Sequence, residues 1–203
     1  MATTRGLERL VFFTDAIAAI AITLLILPLV DLVPQVAAHG GTLGSFLDEQ
    51  TGPLAAFAIS FAVIARLWYG HHQVFEHVGA YTPRLVLLTV LWAFTIVLFP
   101  LPTSITSQFD PSPGTVAFYI GTMAASSIVL TSMTLLIRGD SRLESADNPM
   151  PDRMVARSLS ISTTFLLALL VGTAVPVVNN WALFLLFLSR PIAAILNRRL
   201  RRR

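Results

Sequence analysis

The chain has 203 residues, 55% hydrophobic and 12% charged, with a mean hydropathy of +0.73; soluble domains carry about 25% charged residues, so a soluble globular fold is excluded and the polytopic membrane class indicated. There is no cysteine, which removes disulfides, thiolate chemistry, Cys-ligated zinc and iron–sulfur clusters. The formal charge is +3 and all 14 basic residues are arginine; their distribution says more than the net charge, and the basic balance does not point to nucleic acid.

Apolar segments fall at about 10–29, 54–73, 84–101, 115–137, 157–177 and 181–197, which predicts an all-α, single-domain chain (residues 1–203) of six transmembrane helices. The first segment, from Arg9 to Leu29, reads RLVFFTDAIAAIAITLLILPL and is long enough to cross a hydrocarbon core of roughly 30 Å. Its one carboxylate, Asp15, lies a turn and a half inside. An acid at the centre of such a helix costs on the order of 2.5–3.5 kcal/mol, so Asp15 calls for a partner or a role. Helical spacing puts Phe13, Ala16, Ile20, Thr23, Leu24 and Leu27 on one stripe, mostly aliphatic with one hydroxyl. Asp15 lies roughly 140° from Ile20 and shares its face with Ala18, Ala19 and Ile22, where small side chains let another helix come close. A signal-peptide reading, with Val36-Ala37-Ala38 as cleavage site, fails on the length of the apolar run and on Asp15.

The second segment ends in a polar cluster, Arg66, Trp68, Tyr69, His71, His72, Glu76 and His77. Adjacent helical residues point about 100° apart, so His71 and His72 do not ligate one ion from a regular helix, and no second ligand set is evident for a metal or haem. The simpler reading is a buried hydrogen-bond cluster in which a histidine meets Asp15 or Arg9, either histidine being eligible. Proton sensing by the same residues is compatible with it.

Prolines 28, 34, 53, 100, 102, 111, 113, 149, 151 and 176 stand near the predicted segment ends. Connectors 30–53, 102–114 and 178–180 contain no arginine, whereas Arg5, Arg9, Arg84, Arg138, Arg142, Arg153, Arg157, Arg190 and the tail NRRLRRR occupy the remaining ends. That asymmetry predicts both termini in the cytoplasm, with the tail as a positive anchor against lipid head groups. Asp31, Asp48, Glu49 and Asp110 fall on the other side.

Arg9-x-x-x-Phe13-Thr14-Asp15 and the following Ala-Ile-Ala-Ile-Thr-Leu-Leu-Ile-Leu resemble the R-x-x-x-F-S-D opening of the transmembrane protein 175 family of potassium channels, and Trp68-Tyr69-Gly70-His71-His72 resembles its second-helix W-x-x-H-H run. Thr14 stands where the family usually has serine, and the hydroxyl is retained. The resemblance covers some 30 residues in motif and, with six spans, the prokaryotic branch in topology. It implies a potassium-permeable cation channel, not an enzyme, built as a homotetramer around helix one in the cell membrane of a prokaryote. Potassium ions and the bilayer are its partners, with no cofactor or metal. It implies a hydrophobic constriction at Ile20, a hydroxyl layer at Thr23 and a further aliphatic ring at Leu27 with Leu24 beside it. It also implies a structural polar network of Arg9, Phe13, Thr14, Asp15, Trp68 and His71 or His72 behind the pore wall.

The stripe on helix one agrees with that assignment. No internal repeat supplies a second such stripe, so a path lined by it needs several copies of the chain. The alternatives are a secondary transporter or a proton-conducting membrane protein. A transporter of the repeat type shows paired broken helices at mid-membrane, which this pattern lacks, and Asp15 as the only clear acid within a span argues against catalysis.

Overall fold

The computed structural model describes residues 4–175 and 178–200. Pro176 and the tail residues Arg201, Arg202 and Arg203 lie outside the described residues. The described chain is all-helical: α1 Thr4–Leu24, α2 Leu27–Ala38, α3 Leu43–Glu49, α4 Thr51–Phe75, α5 Pro83–Leu98, α6 Pro100–Gln108, α7 Pro113–Gly139, α8 Asp152–Ala174, a 3₁₀ segment Asn179–Leu188 and α9 Ser189–Leu200. These make six stretches long and apolar enough to cross a membrane.

Two of the six run past the prolines expected to end them. The first span extends over Arg5–Ala38 rather than closing near 29, and is broken at Leu25 and Ile26. Pro28, in the first turn of α2, has no N–H to give the carbonyl of Leu24 four residues back; the helix interrupts and then resumes, since the first turn of a helix tolerates proline. The third span continues from α5 through α6 to Gln108 instead of stopping near 101, with Pro100 at the joint. The fifth starts at Asp152, five residues earlier than expected, and ends at Ala174. The sixth is a 3₁₀ stretch followed by α9. Three-residue turns eclipse positions i and i+3, and here they stack Trp181 on Phe184 at 5.5 Å and Phe184 on Phe187 at 6.0 Å along the outer surface.

Local chemistry accounts for the helix starts. Thr82 and Ser112 accept the amides of Leu85 and Thr115, with Pro83 and Pro113 opening the helices behind them. Packing follows composition: α7, rich in Gly, Ala, Ser and Thr, takes the centre, where small side chains let neighbours approach. Trp92, Ile96 and Phe99 meet Val116, Ile120 and Met123 in the core. Along the α7–α8 seam the hydroxyls pair with one another: Ser127 with Ser162 at 2.9 Å, and Thr131 with both Ser158 and Ser162 at 2.7 Å.

One end of the bundle is clasped by backbone. Gly79 N donates to Leu143 O and Ser145 N to His77 O, each at 2.8 Å, tying the 76–82 loop to the 140–151 loop. A Cβ at Gly79 would come within 3.1 Å of Ser145 Cα and 3.2 Å of Glu144 O, so glycine lets the two backbones approach more closely than a larger residue would without displacing one of them. Gly6 of α1 packs against the Tyr81 ring at this same end. Arg138 bridges Asp152 at 3.1 Å, and the Arg142 side chain donates to Asp140, holding its carboxyl at about 2, below its ordinary range.

Candidate functional site

Helix α1 has one packed side and one bare side. Thr14, Ala18, Ala21 and Leu25, at spacings of four and three, are buried against α4 and α5. Phe13, Ala16, Ile20, Thr23, Leu24 and Leu27 are exposed, Ile20 to 58%. One expectation for the docking side needs correction: Ala19, placed there with Asp15, is exposed, and Ile22 is only half-buried. The packed stripe is centred on Ala18, and the residue after it falls about 100° away. The Thr23 hydroxyl donates to Ile20 O at 2.8 Å, which leaves its oxygen lone pairs facing the bare side. Leu27 follows the break, so the stripe runs across both helical pieces.

Asp15 finds its partner on α4, but not in a histidine. Trp68 Nε1 donates to Asp15 Oδ1 at 2.8 Å. His72 lies over Trp68, ring centroids 5.9 Å apart, and its Nε2 is 3.5 Å from Glu76 Oε1. His71 turns to a different side of α4, fully buried and stacked between Trp92 at 4.1 Å and Phe75 at 4.4 Å, with no hydrogen bond to either ring nitrogen. The 100° between neighbouring residues thus separates the two histidines, as the spacing requires. His72 borders the Asp15 cluster through Trp68, and neither histidine touches the carboxylate. Arg9 and Phe13 are both exposed, and among the described residues no ion pair joins Arg9 to Asp15. Thr14 is buried and donates to Val11 O at 2.8 Å, so its hydroxyl serves its own helix. Among the described residues no group of three or more His, Cys, Asp or Glu side chains is placed to hold a metal ion.

Asp15 is the only carboxylate within the apolar runs, but nothing in the sequence singles out Trp68 as its donor, since the buried Trp92 Nε1 goes without a hydrogen-bond partner. A second polar set went unmarked. Ser60 and Tyr119 hydroxyls meet at 2.9 Å and Thr103 donates to Ser60 at 3.0 Å, joining α4, α6 and α7.

The family model described as the endosomal/lysosomal potassium channel TMEM175 matches residues 9–100, the stretch holding the α1 stripe, Asp15 and Trp68. Through these residues the chain is similar to the TMEM175 family. A potassium channel of Streptomyces collinus is 38% identical over 97 residues, 48% of this chain and 46% of that one. A potassium channel of Chamaesiphon minutus is 30% identical over 130 residues, 62% of this chain and 63% of its own. The human endosomal/lysosomal proton channel TMEM175 is 37% identical over 112 residues, 52% of this chain and 22% of that protein. The chain thus spans about half the length of the Streptomyces relative and under a quarter of the human one. The crystal structure of a lysosomal potassium-selective channel TMEM175 homolog from Chamaesiphon minutus matches 96% of this chain and 100% of its own at TM-score 0.68 and 24% identity, a likeness of fold. With six apolar spans and this likeness to the TMEM175 family, the chain is a multi-pass membrane protein.

Proposed function

We propose that this chain is the subunit of a potassium-permeable cation channel, four copies surrounding a path lined by α1. The observation that carries the reading is the bare stripe of α1: the helix packs Thr14, Ala18 and Ala21 inward and leaves Ile20, Thr23, Leu24 and Leu27 uncovered across the one break at Leu25 and Ile26. Similarity to bacterial proteins named potassium channels supports the ion. Copies facing one another across this stripe make a ring of Ile20 side chains that sheds water when narrow and passes a partly hydrated cation when wide. Thr23 oxygens, with their protons committed to Ile20 carbonyls, then stand in for lost waters and favour the more easily dehydrated cation. Asp15, bonded to Trp68 behind that wall, positions the helix rather than the ion. The clasped end, with Arg5, Arg84, Arg138, Arg142, Arg153 and Arg157 near it, is the cytoplasmic one.

The test is planar-bilayer recording of the purified chain between asymmetric potassium and sodium. Unitary steps reversing near the potassium potential are the expected result, and flux without unitary current ends the channel reading. Ile20→Asn should hydrate the constriction and raise the leak several-fold; an unchanged current removes Ile20 from the gate. The human relative is named a proton channel, which favours one second reading, proton conduction. A reversal potential that follows an imposed pH gradient, and ignores potassium, selects it.

A further inference from the structure

We propose that the cleft between α4, α7, α8 and the 3₁₀ segment binds a phospholipid with an anionic head group, the head group at Arg66 and Arg157 and an acyl chain along the apolar slot. The cleft has a volume of about 550 Å³ and its wall is set by Ile59, Val63, Leu130, Ile161, Phe165 and Leu186. From Ile59 to Val74 it follows α4 for about 22 Å at 1.5 Å per residue, the scale of an extended acyl chain rather than of a compact solute. Two guanidinium groups and one amide line the same cleft, Arg66, Arg157 and Gln73, with Arg157 Nη1 donating to Gln73 Oε1 at 3.1 Å.

No carboxylate lines this cleft, and among the described residues neither arginine has one within ion-pair distance. The neighbouring acids are engaged elsewhere: Asp152 and Glu144 with Arg138, Asp140 with Arg142, Glu76 with His72. Gly70 lies beside this site, where a Cβ would crowd Leu130 Cδ2 at 3.1 Å and make ordinary contact with Arg66 Nη1 at 3.7 Å. Two guanidiniums without a counter-ion at the rim of a membrane bundle ask for a bidentate oxyanion, and the slot beyond them asks for hydrocarbon. A free phosphate leaves the slot empty and an uncharged amphiphile leaves the arginines unpaired. One bilayer component meets both demands, a lipid of net negative head group. This inference goes beyond the conduction reading and is tested without any current.

Purified full-length chain in mild detergent is titrated with palmitoyl-oleoyl phosphatidylglycerol or with phosphatidylcholine of the same acyl chains, and bound lipid per chain is read by native mass spectrometry. One phosphatidylglycerol per chain, retained at least tenfold more tightly than phosphatidylcholine, is expected. Arg66→Gln with Arg157→Gln should abolish that preference, while Arg66→Lys with Arg157→Lys retains it and shows that the fold survives change at both sites. Ala62→Phe, which fills the slot, should weaken both lipids alike, and Arg84→Gln, outside the cleft, neither. Equal binding of the two lipids overturns the proposal, as does wild-type phosphatidylglycerol retention by the glutamine pair, or oleate binding as tightly as the phospholipid. A cleft covered by a second copy, seen as lipid binding that appears only on dissociation to single chains, overturns it too.

Discussion

Asp15 and Trp68 form a single unit, and their bond decides how α1 sits on α4. A hydrogen bond to a charged group is worth about 1.5–3 kcal/mol, and losing its donor strands the carboxylate among apolar side chains. Trp68→Phe should therefore lower the unfolding midpoint in detergent about as much as Asp15→Ala, and the double substitution should cost clearly less than the sum of the two. Additive losses would mean that the two side chains act separately. At Thr23, valine keeps the shape and removes the oxygen. Thr23→Val should shift the reversal potential toward equal potassium and sodium permeability, and an unmoved potential denies the hydroxyl a part. The α1 stripe was legible in the sequence because a helix repeats every 3.6 residues and its polar interruptions are few. Asp15's partner was not, since it depends on how far α4 is rotated about its own axis. That rotation is set by Ile64, Leu67 and His71 packing inward together, a property of the assembled bundle rather than of either segment.

At the level of elements, the spans were readable from hydropathy and their ends were not. Pro28 and Pro100 look like stops, yet in hydrocarbon a helix that ends exposes carbonyls with no water to take them, so the chain resumes its hydrogen bonding directly after each proline. The capped starts at Thr82 and Ser112 lie where Thr-Pro and Ser-Pro place them, because there the signal is local. The loop clasp had no such signal: Gly79 is one of 11 glycines, and only the closeness of Ser145 singles it out. Gly79→Val should push the two loops apart at a cost of about 1–3 kcal/mol, in the range of overpacked sites, read as a lower melting temperature of the purified chain. A variant melting like the wild type would show the clasp to be slack. The 3₁₀ course of the sixth span was likewise hidden, since Trp181, Phe184 and Phe187 at intervals of three also suit an α-helix.

For the whole molecule, the decisive question is what covers the bare side of α1. With no native cysteine, a single introduced thiol reports on its own surroundings. Thr23→Cys should form covalent dimers between copies under mild oxidation, while Leu87→Cys, exposed on α5, should not; light scattering should give the mass of four chains. Dimers at both positions, or at neither, would place α1 against lipid.

The α7–α8 seam has a consequence of its own. Ser127, Thr131, Ser158 and Ser162 carry no charge and exchange no proton in any ordinary buffer, and they are bonded to one another rather than to ions. Acid and ionic strength act on the arginine-rich end of the bundle and pass this seam by. The solute that loosens it is a small alcohol, able to enter hydrocarbon and offer a competing hydroxyl.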